Sequence, residues 1–470
     1  MNKKKQLAKN TIIIFIGKVC TQLISFFLLP LYTGYLSTKE YGIVDLIQTY
    51  ITLLVPIITL ELEMSIFRYL VDARNDEKET KKLISNNFFI LGIGLSIFSL
   101  FYIIVTCFFK INFRWLILID IIVCTMSGNF LQVARGFGRT IDYAVSCIIT
   151  GVSTIICNIF LIVFLHMGAE GMIISMTVAN GMCSLYLFIR LKLYQKINFK
   201  FIDTKLVKSM NKYSIPLIPN GISWWIVNVS DRTIISYVLG AAANGLYAVS
   251  NKFPTILSSL LGIFNLSWSE SAALHINSPD RDKFFSDISN TVTKLFSSLG
   301  VGMIACMPFV FPILVNSQYN DAYNYIPILI LGAVFNVVIC LYSAIYIAKK
   351  MTKQVASTSI LGAIINIFIN VLLIKYIGLY AASISTAIAY FVMMIYRYLD
   401  LKKYITIRFE NGLIIKSIFI YTFSIFLYYT NNFYLNILNL IVVIVYAVII
   451  NKEFLLEIKN FFLKKVKNII

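Results

Sequence analysis

Acidic residues and histidines are scarce in this chain. It holds 22 Asp and Glu against 41 Lys and Arg, with 2 His, in 470 residues. His166 and His275 stand alone near the ends of apolar runs, where an interfacial place suits them better than a metal or proton relay. Cysteine is present but unorganised. Cys20, Cys107, Cys124, Cys147, Cys157, Cys183, Cys306 and Cys340 all fall in apolar stretches with no CxxC or Cys/His spacing. They read as small hydrophobes, not as a disulfide framework or a metal site. The nucleotide-loop, HExxH and G-x-S-x-G patterns are missing. Asp280-Arg281-Asp282 has the DxD form that holds a metal-bound nucleotide sugar in glycosyltransferases, but no nucleotide domain surrounds it, and it reads as a solvated loop. No cofactor and no catalytic residue is implied.

Charge of either sign is thin, at 13% of the chain, and hydrophobic residues make up 59%. The apolar residues gather in runs of about twenty, the length of a bilayer-spanning helix. Lipid offers no partner to backbone N–H and C=O groups, so each run must be helical. About fourteen such runs predict an all-α, polytopic membrane protein. The second is expected over 41–70, the seventh over 213–239, the eighth over 243–273 and the ninth over 286–315. The first, over 11–32, is too long and too directly followed by further spans for a cleaved signal peptide.

Basic residues mark alternate gaps. Lys3, Lys4, Lys5 and Lys9 precede the first span. Further clusters include Arg74 to Lys82, Arg190 to Lys212, Lys349 to Lys353, Lys402 to Arg408, and a tail with Lys464, Lys465 and Lys467. The intervening gaps at 240–244, 316–321 and 430–433 have neither Lys nor Arg. Only Lys110 and Arg114 form a basic pair on the opposite side. This bias predicts both termini on the cytoplasmic face of a bacterial inner membrane, with an even number of spans. It also accounts for the net charge of +19 without nucleic acid, since topology and anionic membrane headgroups explain cations spread over short loops.

The chain repeats itself weakly. Tyr35 to Gly42 aligns with Val238 to Gly245, which sets Gln48 opposite Asn251. Gly168-Ala169-Glu170-Gly171, followed by Ser175, aligns with Gly378-Leu379-Tyr380-Ala381, followed by Ser385. Together these predict two six-helix lobes of shared orientation, in a parallel pseudo-two-fold arrangement, plus two C-terminal helices. The expected limits are 1–190 for the first lobe and 191–212 for a cytoplasmic amphipathic linker. The second lobe follows over 213–403, and the extra helices with a basic tail over 404–470. No gap on the far side is long enough for an independent domain.

Polar side chains recur at threes and fours within several spans. They are Lys18, Gln22 and Ser25 in the first, and Asp45, Gln48, Thr52, Pro56, Thr59 and Glu63 in the second. The seventh has Asn220, Ser223, Trp224 and Asp231-Arg232, and the eighth has Tyr247, Asn251, Pro254, Ser258, Asn265 and Ser269. Charges at membrane depth are costly and mark sites or tight pairs. Lys18, Arg68, Arg232 and Lys252, with Gln48 and Asn251, are the candidate substrate-binding residues. Asp45, Glu63 and Asp231 are the candidate ion-coupling acids. Helix-to-helix hydrogen bonding is the competing account of the neutral positions, and ion pairing with an acid is the competing account of Arg232. Glu61 and Glu63 point to different sides of their helix.

The opening Lys9-Asn10-Thr11, Gly17-Lys18, Leu29-Pro30-Leu31-Tyr32 and Leu36-Ser37-Thr38-Lys39-Glu40-Tyr41-Gly42 resembles the start of bacterial polysaccharide repeat-unit flippases. Glu61 to Arg68-Tyr69, Asp231-Arg232 to Leu239-Gly240, and Gly245-Leu246-Tyr247 resemble the same Wzx-type proteins. These belong to the multidrug/oligosaccharidyl-lipid/polysaccharide exporter superfamily. The resemblance implies two lobes in a V around a cavity that opens alternately to each side. It implies oligosaccharides on undecaprenyl pyrophosphate as substrate, for O-antigen, capsule or exopolysaccharide assembly. It also implies membrane lipids, a polysaccharide polymerase and a chain-length regulator as partners. Cations suit the pyrophosphate. Two extra C-terminal helices also occur in the lipid II flippase branch. A cation-coupled multidrug exporter on the same fold is the alternative, and a membrane enzyme of glycan assembly would need a catalytic loop that the chain lacks.

The orientation is open to direct test. A reporter active only outside the cytoplasm should give signal when fused after residue 242 and none after residue 200. The reverse pattern removes the orientation and the repeat argument together.

Overall fold

The computed structural model describes residues 24, 26–74 and 76–456. Lys18, Gln22 and Ser25 lie outside the described residues, as do the side chains of Asn220, Ser223 and Trp224. Among the described residues there is no strand. The chain divides into two compact units. The first runs to Ser236 and takes in Gly240–Gly245, and the second holds Tyr237–Leu239 and everything from Leu246.

The first unit contains α1 (Leu29–Tyr35), α2 (Thr38–Thr59), α3 (Leu62–Asp72), α4 (Glu77–Phe108), α5 (Arg114–Gly136), α6 (Thr140–Asn158) with a π-helical continuation Ile159–Phe164, and α7 (Gly168–Arg190). Two short turns, Leu193–Gln195 and Phe199–Phe201, lead to α8 (Thr204–Ser214), and α9 (Ile218–Val238) follows. The second unit holds most of α10 (Ala241–His275), then α11 (Arg281–Leu314), a turn Ser317–Tyr325, α12 (Ile326–Ala348), α13 (Thr352–Ile377), α14 (Leu379–Leu401), α15 (Leu413–Tyr429) and α16 (Phe433–Ile450). Among the described residues ten helical segments are long and apolar enough to cross a membrane, and α15 is apolar but 17 residues long. Helices α9 and α10 have the length, at 21 and 35 residues, but their polar stripes keep them out of that set.

The second span, expected to run unbroken over 41–70, is broken. Ser37 caps α2 by accepting the Glu40 N–H, and the Glu40 carboxylate accepts the Ser37 N–H in return. Pro56 lies inside α2, whose last turn closes through Glu61 N–H to Pro56 O (3.0 Å). Leu60 and Glu61 then adopt left-handed backbone, with φ of 52° and 55°. Each such non-glycine residue costs about 1 kcal/mol, and the packing of α3 must hold them there. Leu62, Ile66 and Leu70 of α3 are fully buried in a cluster with Ile84 and Leu91 of α4, Phe130 and Val133 of α5, and Leu187 of α7.

Each unit ties a connecting segment to a helix through one asparagine. Asn86 of α4 donates to Phe201 O (2.9 Å) and accepts the Asp203 N–H (2.9 Å), while Ser85 accepts the Asn198 N–H. Asn290 of α11 donates to Arg408 O (2.9 Å) and accepts the Glu410 N–H (3.0 Å), while Ser286 accepts the Arg408 N–H. The side-chain amide has one donor face and one acceptor face, so it stands in for the neighbouring strand these segments lack. A lysine one turn away adds an ion pair in each case: Lys82–Asp203 at 2.8 Å and Lys294–Glu410 at 2.5 Å. Lys82 and the Lys205 N–H hold the Asp203 carboxyl below its usual range. That contribution is therefore present above the unfolded pKa of about 4 and is lost as pH falls through the lower folded value. The two clamps match in chemistry, and they extend the internal repeat from the loops into the helices.

Asn86→Ala and Asn290→Ala should each destabilise the protein by about 1–3 kcal/mol, because each strands a buried C=O and N–H. Asn→Asp at either position keeps the acceptor but sets a buried carboxylate against the carbonyl that the amide served, and should cost at least as much. Thermal unfolding in detergent measures both, and wild-type stability of the alanine variants would remove the clamp.

Candidate functional site

The polar stripe of α2 meets α5 and α9 inside the first unit. Asp45 Oδ2 and Arg232 Nε lie 3.2 Å apart, with the side chains 13% and 22% exposed. Most of both charges is out of water, so each neutralises the other. Arg232 Nη1 also donates to Thr49 Oγ1 (3.3 Å), which leaves Nη2 without a hydrogen-bond partner among the described residues. Asn244 donates to Asp45 Oδ2 (3.3 Å) and to Gly42 O (2.9 Å). That second bond marks a close crossing. A Cβ on Gly42 would fall on the Ala241 carbonyl, and one on Gly245 on the Thr38 carbonyl. The aligned Tyr-Gly and Asn-Gly motifs of the sequence repeat thus touch through their glycines, where any side chain would separate the backbones.

One turn along α2, Gln48 donates to Asp120 Oδ2 of α5 (2.9 Å). Asp120 is 1% exposed. Trp225 of α9 donates to Thr49 O (2.9 Å), and its ring lies 6.4 Å from that of Tyr50. Beyond the helix break, a Cβ on Gly221 of α9 would meet Glu61 Oε1 at 2.8 Å, and one on Gly128 of α5 would meet Glu63 Oε1 at 2.5 Å. The two acids lie against different helices, each beside a glycine that makes room for it.

The other sequence-derived residues are dispersed. Asp231 is buried at 4% exposure. Arg68 pairs with Asp72 at 2.6 Å on the exposed side of α3. Asn251 belongs to the second unit and donates to Tyr247 O in its own helix, with the half-buried Lys252 beside it. Lys18 is outside the described residues. Arg281 of the DxD triplet bonds to Asp282 at 3.0 Å at the start of α11. Sequence reasoning missed Asp120 and Arg397. Arg397, 1% exposed, joins three helices by bonding to Ser343 and Ile339 O of α12 and to Thr358, Ser359 and Val355 O of α13. Among the described residues no group of three or more His, Cys, Asp and Glu is placed to hold a metal.

The cluster therefore holds a guanidinium paired with one carboxylate, and two further acids beyond the helix break lie against different helices. Solved structures share this fold. The lipid II flippase MurJ, in an inward closed conformation, matches at 15% identity with a TM-score of 0.70 over 95% of this chain and 100% of that one. An inward-facing multidrug resistance MATE family transporter of the MOP superfamily matches at 11% with a TM-score of 0.68, over 81% and 95%. A Vibrio cholerae MATE transporter matches at 14% with a TM-score of 0.57, over 87% and 98%. The molecule is thus a multi-pass, all-α membrane protein with the fold of that transporter superfamily. No curated protein matches the sequence. The family described as polysaccharide biosynthesis protein matches residues 7–268, more than half of the chain, and the chain belongs to that family.

The ion pair can be tested for coupling. Arg232→Gln or Asp45→Asn alone should cost about 3 kcal/mol, because either leaves a largely buried charge unpaired. The double variant should recover most of that loss. Thermal unfolding of the four proteins gives the cycle, and simple additivity would show that the two charges do not depend on one another.

Proposed function

We propose that the protein flips undecaprenyl-pyrophosphate-linked oligosaccharide repeat units from the cytoplasmic to the outer leaflet of the bacterial inner membrane by alternating access, for surface polysaccharide assembly. It acts as a transporter and not as an enzyme. The observation that carries this reading is the Asp45–Arg232 pair in a chain of the polysaccharide biosynthesis family: a largely buried guanidinium, held by one carboxylate, with donors left over for phosphate. Arg232 exchanges Asp45 for the pyrophosphate as substrate enters. The freed carboxylate then takes a proton or another cation, which couples transport to an ion gradient. Glu63 and Asp231 share that role. Lys18, Arg68, Lys252, Gln48 and Asn251 are the further substrate contacts in this scheme. Both termini face the cytoplasm, and the polymerase that consumes the repeat units works on the opposite side.

Deleting the gene should make a lipid-linked oligosaccharide accumulate on the cytoplasmic leaflet while surface polysaccharide falls. Complementation with Arg232→Lys should restore transport only in part, because the two-pronged guanidinium contact is lost while the charge is kept. An unchanged lipid-linked pool with normal surface polysaccharide contradicts the proposal.

A further inference from the structure

A second polar site lies in the second unit. Where α11 ends, the Ser317–Tyr325 turn and the α15–α16 connection line an open cavity of about 470 Å3. These are the connections without Lys or Arg, and no cation lines the cavity. It is therefore not built for a phosphate. Asp321, Asn324, Asn431 and Asn436 line it together with the rings of Tyr323 and Phe433. Planar carboxylates and amides each present two polar atoms at the spacing of adjacent hydroxyls, as donor and acceptor or as paired acceptors. A flat apolar ring beside them suits the C–H face of a sugar. Phe433, the first residue of α16, closes one side of the lining.

The cavity also has an unmet demand. Asn436 is 5% exposed, lines the cavity, and its Oδ1 has no hydrogen-bond partner among the described residues. Buried acceptors are almost always paired, so a donor belongs there. The walls are held in place without a ligand. The Tyr323 ring stacks on Tyr428 at 4.1 Å, Tyr428 donates to Tyr323 O (2.7 Å), and Tyr429 donates to Asn324 O (2.6 Å). The Asn432 side chain caps the start of α16 by accepting the Tyr434 and Leu435 N–H groups. The volume falls within the roughly 300–1,000 Å3 of small-ligand sites.

We propose that this cavity binds neutral, hydroxyl-rich sugar residues of the transported glycan on the outward face of the second unit. The inference rests on the flippase reading and deepens it: the anionic headgroup and the sugar are recognised at separate places, by separate chemistry. The test uses the full-length protein in lipid nanodiscs. The probe is the water-soluble oligosaccharide released by mild acid from the lipid-linked pool of the producing cell. Saturation-transfer NMR should show contact with the wild type. Asp321→Ala with Phe433→Ala should lower the transfer about tenfold or more, since a lost hydrogen bond and a lost ring face together weaken binding by at least that much. Asp321→Asn, which alters one group, should lower it less, and Tyr434→Ala, exposed and outside the cavity, should leave it unchanged. Equal transfer in wild type and double variant overturns the inference, as does no transfer in the wild type, and neither outcome touches the flippase reading. If deleting the gene causes no lipid-linked oligosaccharide to accumulate, the flippase reading fails and takes this inference with it.

Discussion

A carboxylate and a guanidinium that have left water must face one another, and in the first unit that requirement fixes Asp45 against Arg232. Much of the unit follows from it. Helix α9 must lie along α2, and Trp225 completes that contact through Thr49 O. The start of α10 must approach close enough for Asn244 to reach both Asp45 and Gly42 O, and only glycine at 42 and 245 permits that approach.

The break at Leu60-Glu61 serves the same region. Pro56 has no N–H to give the preceding turn, and two left-handed residues end α2 four residues later. Discontinuous helices in transporters free backbone groups where they border a hydrated path. Here the break sets Glu61 and Glu63 on either side, one beside Gly221 and one beside Gly128. The stripe along α2 thus continues past the break as acids lying against two different helices.

Much of this was legible in the sequence, for physical reasons that also mark where reading stopped. Threes-and-fours spacing placed Asp45, Gln48 and Thr52 on one face because a helix has one period. Alignment of the two glycine loops anticipated the repeat, whose members meet at Gly42 and Gly245. Partners were harder to see. Helix geometry points Asp231 away from Arg232, but nothing in the sequence tells that Arg232 takes Asp45, which lies on another helix. Asp120 stands alone in an apolar run, with no stripe to announce it, and its partner Gln48 is on another helix. Arg397 stands just before a basic gap, and nothing in its spacing tells that its donors are spent on two neighbouring helices. Asn86 and Asn290 look like ordinary polar residues near helix starts, and their role depends on segments more than a hundred residues away. Nothing in the 191–212 stretch tells that Lys196 to Asp203 is tied down by Ser85 and Asn86.

The central claim is movement of a lipid-linked oligosaccharide between leaflets. The most direct measurement reconstitutes the purified protein into liposomes that carry the lipid-linked oligosaccharide extracted from the producing cell. A membrane-impermeant oxidant of vicinal diols then reports how much sugar faces outward. Protein should let the oxidant consume the inner-leaflet fraction as well, and the Arg232→Gln variant should slow that consumption. If the inner fraction stays protected equally with and without protein, the account is contradicted.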